Sequence, residues 1–247
     1  MKKIGKRVTF IGDIHGKTDW REISLGAMKR FQEVVFLGDY FDSFNLSYLT
    51  QKENFKALLA FLRKKGGYAL LGNHDYAYIH GFSGISGYQH AHAHEIQQMF
   101  RENMDLFKIA WGYRNEEGKY TLVTHAGLTQ KFWNNYIFPE FGHDGFIRNL
   151  LGADAGKLEA VEIHDALNYL IDKKDIMWKV GAVRYGSGTP GPLWADITEL
   201  EEDPMGGINQ IVGHTGSTPI SFQFHDDNYI IKVDNWAKTT ASVTVSL

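Results

Sequence analysis

Cysteine is missing from this chain of 247 residues. A disulfide bond and a metal site built on thiolates are therefore excluded, and any bound metal must take its ligands from His, Asp, Glu, Asn or backbone oxygen. The lack of cysteine also fits a protein of a reducing compartment.

A surplus of basic residues and a long hydrophobic run are missing as well. With a net charge of -3, the chain lacks the positive charge typical of proteins whose main partner is nucleic acid. The basic start, MKKIGKR, precedes an apolar stretch that is broken by Gly12 and Asp13 and is too short for a signal peptide. Since no run reaches the length of a membrane span, we expect a cytoplasmic protein without a membrane partner.

What is present is the composition of an ordinary globular protein, with 43% hydrophobic and 22% charged residues. The sequence contains no internal repeat, no low-complexity tract and no convincing linker. We therefore predict a single domain over residues 1–247, which is long enough to bury a sizeable core.

The first third of the chain alternates short apolar runs with helical patterns. The predicted strands are Val8–Ile11, Val34–Leu37 and Tyr68–Leu71, and the predicted helices are Asp19–Phe31 and Thr50–Lys65. Thr50 and Glu53 have the spacing of a capping box at the start of the second helix. This order predicts a parallel or mixed sheet with packed helices, in which sites form at the carboxyl ends of the strands.

The rest of the chain predicts further helices and a second sheet. Helical spacing covers His92–Phe107 and Ala155–Ile171, a hairpin joins Lys108–Tyr113 to Tyr120–Thr124, a loop covers residues 181–192, and later strands are Gln210–Val212, Ser221–Phe224 and Tyr229–Val233. The alternating histidines at 90, 92 and 94 are interpreted as part of a helix face and not as a metal site, since residues two apart do not share a face.

Five polar motifs stand where the apolar runs end. They are Gly12-Asp13-Ile14-His15-Gly16, Gly38-Asp39-Tyr40-Phe41-Asp42, Gly72-Asn73-His74-Asp75, Thr124-His125-Ala126-Gly127 and Gly213-His214-Thr215. A single Asp after a strand is more often a cap or turn residue, but five such motifs in order favour a metal site. Oxygen and imidazole ligands suit Mn, Fe, Zn or Ni, and a pair of such ions can bind phosphoryl oxygens and activate a water.

In this order the motifs resemble those of the calcineurin-like metallophosphoesterases. The resemblance is strongest to the phosphoprotein-phosphatase branch, which is serine/threonine phosphatase-like and has bacterial, phage and diadenosine-tetraphosphatase relatives. It extends from Gly12 to Thr215 and so covers most of the chain. It implies an α/β (α+β) sandwich in which two mixed sheets pack face to face, flanked by helices, with a two-metal site at the strand ends.

The resemblance also implies a role for each matching position. The implied metal ligands are Asp13 and His15 for the first ion, Asp39 as the bridging carboxylate, and Asn73, His125 and His214 for the second ion. His74 matches the general acid, and Asp75 matches the carboxylate that orients it. The implied cofactors are two divalent ions, with Mn²⁺ as the first choice and Fe, Zn or Ni as alternatives.

The second motif departs from the family pattern. Phosphoprotein phosphatases continue with Arg-Gly after its last Asp, whereas here Asp42 is followed by Ser43 and Phe44. The segment Pro192–Asp196 resembles the family's Leu-Trp-Ser-Asp stretch, and Arg184 lies in a glycine-rich loop before it. Because a guanidinium can bind two phosphate oxygens, Arg184 is our candidate for substrate binding, and an ordinary loop arginine is the alternative.

These observations predict a metal-dependent phosphatase that hydrolyses phosphomonoesters of a phosphoprotein or nucleotide. A diadenosine polyphosphate hydrolase and a phosphatase of nucleic-acid ends are alternative enzymes. An inactive binding scaffold is the alternative from another class, and it is disfavoured because no implied metal ligand or proton donor is missing. Neither the substrate nor the oligomeric state follows from the sequence.

Overall fold

The structure, a computed structural model, describes residues 7–141, 162–216, 220–225, 227–234 and 239–246. One sheet has its strands in the early part of the chain, apart from one late edge strand. These strands are β1 (Arg7–Ile11), β2 (Glu33–Phe36), β3 (Tyr68–Leu70), β4 (Phe107–Lys108) and β10 (Ser242–Ser246), in the order β10-β1-β2-β3-β4. Strands β1 to β4 run parallel, and β10 pairs antiparallel with β1.

The other sheet is built from the middle and the end of the chain. Its strands are β5 (Ala110–Arg114), β6 (Tyr120–Thr124), β7 (Asn209–Val212), β8 (Ile220–His225) and β9 (Asn228–Val233), in the order β5-β6-β7-β9-β8. β6, β7 and β9 run parallel, while β5 and β8 are antiparallel to their neighbours. Both sheets are therefore mixed, as predicted.

Helices connect the strands of both sheets. They are α1 (Trp20–Lys29), α2 (Tyr48–Lys65), α3 (Asn73–His80), α4 (Ala93–Arg101), α5 (Gln130–Phe132), α6 (Phe138–Phe141), α7 (Ile163–Tyr169), α8 (Lys174–Met177) and α9 (Ile197–Glu202), with a π-helical turn at Trp133–Ile137 and 3₁₀ turns at His90–His92, Met104–Leu106 and Ala182–Arg184. In the described part of the chain, no helix combines the length and the apolar content needed to cross a membrane.

The two sheets pack face to face, and the early strands are therefore buried on both faces. Phe10 and Val35 point towards the second sheet, where they join a cluster with Val123 and Ile211. On the opposite face, neighbours such as Phe36 pack into the larger cluster with the helices. Strands buried on both sides appear in a sequence as continuous apolar runs, which is why they were easy to predict. The predicted sandwich is confirmed.

Three predicted elements need correction. Helix α2 begins earlier than Thr50, because the side chain of Ser47 accepts a hydrogen bond from the Thr50 backbone N–H and so provides the N-terminal cap. The helix predicted to reach Phe107 ends as α4 at Arg101, and Phe107 instead pairs with Ala69 as part of β4. The predicted loop over residues 181–192 contains the 3₁₀ turn at Ala182–Arg184.

The late helix predicted over Ala155–Ile171 is described only in part. In its described portion the helix is α7, which ends at Tyr169 and not at Ile171, whereas residues 155–161 lie outside the described residues. The predicted hairpin exists as β5 and β6, with Ala110 paired to Thr124, but Lys108 belongs to the other sheet. The chain therefore passes from one sheet to the other between Lys108 and Ala110.

Candidate metal centre

The carboxyl ends of the parallel strands bring the five polar motifs to one edge of the sandwich. Asp13, Asp39 and Asn73 follow β1, β2 and β3 of the first sheet, and His125 and His214 follow β6 and β7 of the second. All five side chains are buried, with at most 8% of each residue exposed. Parallel strands end at the same edge, so residues far apart in sequence meet here.

His125 and its neighbours place several lone pairs around one small volume. The Nδ1 atom of His125 lies 2.8 Å from the carbonyl oxygen of Leu37. Since a carbonyl only accepts, this contact puts the ring proton on Nδ1 and leaves a lone pair on Nε2. That lone pair faces Asn73 Oδ1 at 3.0 Å and His214 Nδ1 at 3.2 Å.

The lone pairs of these atoms are better placed to bind a cation than to form hydrogen bonds with one another. Asp39 Oδ2 adds negative charge at 3.5 Å from His125 Nε2. Among the residues that the structure describes, the buried Nε2 of His214 has no hydrogen-bond partner. Acceptors brought this close repel unless a positive charge lies between them, and a metal-binding imidazole usually donates its other N–H to a carbonyl, as His125 does. Asp39, His125 and His214 therefore form one group that could hold a metal ion.

A second group shares the same carboxylate. Asp13, His15 and Asp39 have one potential ligand atom each within 4.8 Å of one another. The Nδ1 atom of His15 contacts the Phe41 carbonyl at 2.6 Å, so its Nε2 faces Asp13 and Asp39 with a lone pair, at 4.0 and 3.7 Å. The His15 side chain is 28% exposed, which makes this group the open side of the site.

The ionisation of these groups suits metal binding at neutral pH. Burial would raise the pKa of Asp39, but the surrounding imidazoles, led by His125, hold it below its ordinary value, because they are positively charged at the acidic pH where Asp39 would take up a proton. Burial lowers the pKa of His125 and His214, and lowers that of His15 to about 4. The imidazoles are therefore neutral near pH 7 and keep the lone pairs that a metal needs. Asp13 differs, because burial and the nearby charge of Asp234 raise its pKa.

His74 lies next to these two groups, and its Nδ1 contacts a carboxylate. Its Nδ1 lies 2.8 Å from Asp42 Oδ2, and its Nε2 lies 3.9 Å from Asp39 Oδ2. Burial alone would lower the pKa of His74, but the charge of Asp39 and the hydrogen bond and charge of Asp42 raise it to about 9. With this pKa the ring is protonated at neutral pH, and since Nδ1 is bound to Asp42, its other donor, Nε2, lies on the side of Asp39.

The carboxylate that contacts His74 is Asp42, which corrects the assignment of that task to Asp75. The buried carboxylate of Asp75 accepts hydrogen bonds from the backbone N–H groups of Asp39, Tyr40 and Gly72, at 2.7 to 2.9 Å. It thus fixes the loop that presents Asp39. The family resemblance implied this role for Asp75, whereas the structure places Asp42 against Nδ1 of His74.

The backbone around the site is unusually constrained. His15, Asp39, Asp42 and His214 all have φ between 40° and 66°, although none of them is glycine. A Cβ atom on Gly72 would lie 2.0 Å from Asp39 Oδ1. Left-handed backbone at residues with side chains is uncommon and costs energy, and it clusters at functional sites.

Arg184 lies on the side of the second sheet. Its guanidinium contacts Asp196 Oδ2 at 3.0 Å, and its charge is among the causes that lower the pKa of His125 and His214. Within the described part of the chain, its Nε is buried without a hydrogen-bond partner. Arg184 is thus close to the candidate site and is partly engaged by a carboxylate.

The histidines at 90, 92 and 94 do not form such a group among the described residues. His90 and His92 lie in the 3₁₀ turn that precedes α4. The ring of His92 stacks on Tyr48 with centroids 3.7 Å apart. Sequence reasoning did miss Asp234, a buried carboxylate that follows β9 beside Asp13. Its position directly after a strand was the available signal.

A known protein family matches most of the chain. The family model described as calcineurin-like phosphoesterase matches residues 6–215. No curated protein matches the chain.

Two solved structures are similar to the chain to different degrees. A mutant of a cold-active protein tyrosine phosphatase is 18% identical with a TM-score of 0.55, over 98% of this chain and 75% of that chain, which is a likeness of fold alone. A metallophosphoesterase from Sphaerobacter thermophilus is 14% identical, over 92% of this chain and 75% of that one, and its TM-score of 0.39 supports no conclusion.

Proposed function

The chain belongs to the calcineurin-like phosphoesterases, and we propose that within this family it is a phosphatase of phosphomonoesters, similar to serine/threonine protein phosphatases. Membership of the family means that it is a metal-dependent phosphoric ester hydrolase and that two metal ions take part. The observation that carries the finer proposal is the position of His74, held at Nδ1 by Asp42, beside two metal-ligand groups that share Asp39.

The proposed ligands follow the two groups. Asp13, His15 and Asp39 would hold the first ion, and Asp39, Asn73, His125 and His214 would hold the second. Two divalent ions, when bound, bring positive charge to the phosphoryl oxygens and lower the pKa of a water. The chain's own part is to keep the imidazoles neutral and aligned, through the carbonyl contacts of His15 and His125. We propose Mn²⁺, because the ligands mix carboxylate, amide and imidazole, with Fe, Zn or Ni as alternatives.

His74 is the proposed general acid. Its Nδ1 is held by Asp42, so its Nε2 is free to donate a proton on the side of Asp39. The alkoxide that leaves from phosphoserine or phosphothreonine is a strong base and needs such a proton, whereas nitrophenolate does not. An acid held in place by Asp42 therefore favours alkyl phosphomonoesters as substrates.

Arg184 is the proposed substrate-binding residue. A phosphate bound in the site would have oxygens left over for donors other than the metal ions, and these oxygens would need such donors in place of water. Arg184 supplies positive charge next to the second group, and its Nε is the donor that has no partner among the described residues. It would thereby replace the arginine that is missing after Asp42. We further propose a cytoplasmic enzyme whose substrate is a phosphoprotein or a nucleotide.

The test compares wild type with His74→Asn on two substrates, after chelation and reloading with Mn²⁺. Chelated wild type should lose turnover and regain it with the metal. The His74 variant should lose about 10²–10⁴-fold in kcat on a phosphoserine peptide, the usual contribution of a general acid. Its loss on p-nitrophenyl phosphate should be far smaller, and its metal content should be unchanged.

His80→Asn is a suitable control, because His80 lies on the same helix α3 but outside the two ligand groups. It should leave both rates unchanged. Equal losses on the two substrates in His74→Asn would exclude the general acid role. Full turnover of metal-free protein would exclude the proposed function as a whole.

A further inference from the structure

Tyr78 lies one helical turn after His74 on α3 and contacts the same carboxylate. Its hydroxyl donates to Asp42 Oδ1 at 2.5 Å, while His74 Nδ1 binds the other oxygen, Oδ2, at 2.8 Å. Residues four apart on a helix share a face, so His74 and Tyr78 reach Asp42 together. The carboxylate is thus held at both oxygens by α3.

The tyrosine hydroxyl is itself fixed. It accepts a hydrogen bond from the backbone N–H of Gln89 at 2.8 Å, and the Tyr78 ring stacks on Tyr88 with centroids 4.4 Å apart. Burial and the charge of Asp42 raise the pKa of Tyr78, which keeps the hydroxyl protonated as a donor. Tyr78 is only 1% exposed, so water does not readily replace this bond.

We propose that Tyr78 is a positioning residue for the general acid, an inference that rests on the proposed role of His74. By donating to Oδ1, Tyr78 sets the rotation of the Asp42 carboxylate, and Oδ2 in turn sets the plane of the His74 ring. The ring then presents its Nε2 to the side where Asp39 Oδ2 lies, 3.9 Å away. Without the hydroxyl, Asp42 can rotate, and His74 loses the alignment that proton donation requires.

A merely structural tyrosine is available for comparison on the same helix. Tyr76 is also fully buried, and its hydroxyl donates to the carbonyl of Ile171 at 2.9 Å, away from Asp42. Tyr76→Phe and Tyr78→Phe therefore remove the same atom from the same helix. A role of Tyr78 in folding alone predicts that the two variants behave alike.

The experiment measures kcat and KM of the Mn²⁺-loaded full chain for Tyr78→Phe, Tyr76→Phe, His74→Asn and wild type. Substrates are a phosphoserine peptide and p-nitrophenyl phosphate. Tyr78→Phe should lower kcat on the peptide by about 10-fold, a fraction of what a general acid contributes. Its kcat on p-nitrophenyl phosphate should change by less than about twofold, with KM and metal content unchanged. Tyr76→Phe should leave the ratio of the two rates as in wild type.

A double variant provides the second measurement. If Tyr78 acts only through His74, adding Tyr78→Phe to His74→Asn should change the ratio of the two rates no further, since coupled residues are not additive. The inference is overturned if Tyr78→Phe matches Tyr76→Phe, lowers both rates equally, or adds its full effect to His74→Asn. In those cases the two parts of the proposed function are still tested separately, the general acid role by equal losses on both substrates in His74→Asn alone, and the metal-dependent function by full turnover of metal-free wild type.

Discussion

The two ligand groups share Asp39 but differ in how the fold makes them. The first, Asp13 and His15, follows a single strand, β1, and its histidine side chain is 28% exposed. The second joins Asn73 of α3 to His125 and His214 of the other sheet, and His125 is fully buried. One group thus needs only the β1–α1–β2 unit, whereas the other exists only once the two sheets have packed.

This difference indicates separate tasks for the two groups. The open group can exchange solvent and meet a substrate, while the buried group forms part of the contact between the sheets through the bond of His125 to the Leu37 carbonyl. Loss of a ligand from the open group should therefore reduce mainly activity. Loss of a ligand from the buried group should reduce both activity and stability.

Asp39→Asn should have the largest effect, because it removes the charge that both groups share. We expect loss of both ions and a fall in kcat of at least about 10³-fold, since metal ions supply several kcal/mol of transition-state stabilisation. Metal analysis and turnover are the measurements. Asp105→Asn, which alters an exposed ion pair with Arg63, is the control. Two tightly bound ions in Asp39→Asn would contradict the shared carboxylate.

Substitution of one histidine from each group comes next. His125→Ala should remove one ion and also destabilise the metal-free protein by about 1–3 kcal/mol, because the buried Leu37 carbonyl loses its donor. His15→Ala should also remove one ion but should cost less, since its side chain is partly exposed and water can reach the freed carbonyl of Phe41. Urea unfolding in chelator, with metal analysis, compares the two. Equal destabilisation would remove the distinction between an open and a buried group.

Arg184→Ala should have the smallest effect and should leave both groups intact. We expect KM to rise by about one to two powers of ten, or about 1.5–3 kcal/mol for a charge-assisted bond, with unchanged metal content. The exposed Arg114, paired with Glu162, is the matched control, and Arg114→Ala should leave KM unchanged. Wild-type KM in Arg184→Ala would mean that the arginine serves only its ion pair with Asp196.

The same contrast describes what the sequence could predict. The strand before Asp13 was evident, because a strand buried on both faces is a continuous apolar run ending in a polar loop. The start of α2 was misplaced, since Ser47 and Thr50 are both suitable caps and only the structure shows which one accepts a bond. The strand-end motifs predicted a metal site, but the assignment of His125 and His214 to the same ion came only from the resemblance to a family, because no local pattern places His125 beside His214.

The contacts behind the site were the least predictable. Asp42, and not the adjacent Asp75, contacts His74 because the chain turns at Asp42 through a left-handed conformation. Tyr78 reaches Asp42 from the next turn of α3, in a motif that otherwise suggests only core packing. Such contacts depend on dihedral angles and on long-range packing, and the spacing of residue types predicts neither.

The left-handed residues at the site also affect how this protein would respond to selection. His15, Asp39, Asp42 and His214 each hold a conformation that glycine adopts without strain, at a cost on the order of 1 kcal/mol per residue. Glycine at any of these positions would relieve that backbone strain and, in the same step, remove a site residue. Engineering a thermostable form therefore requires a screen for turnover in every round, because relief of backbone strain and activity compete for the same four positions.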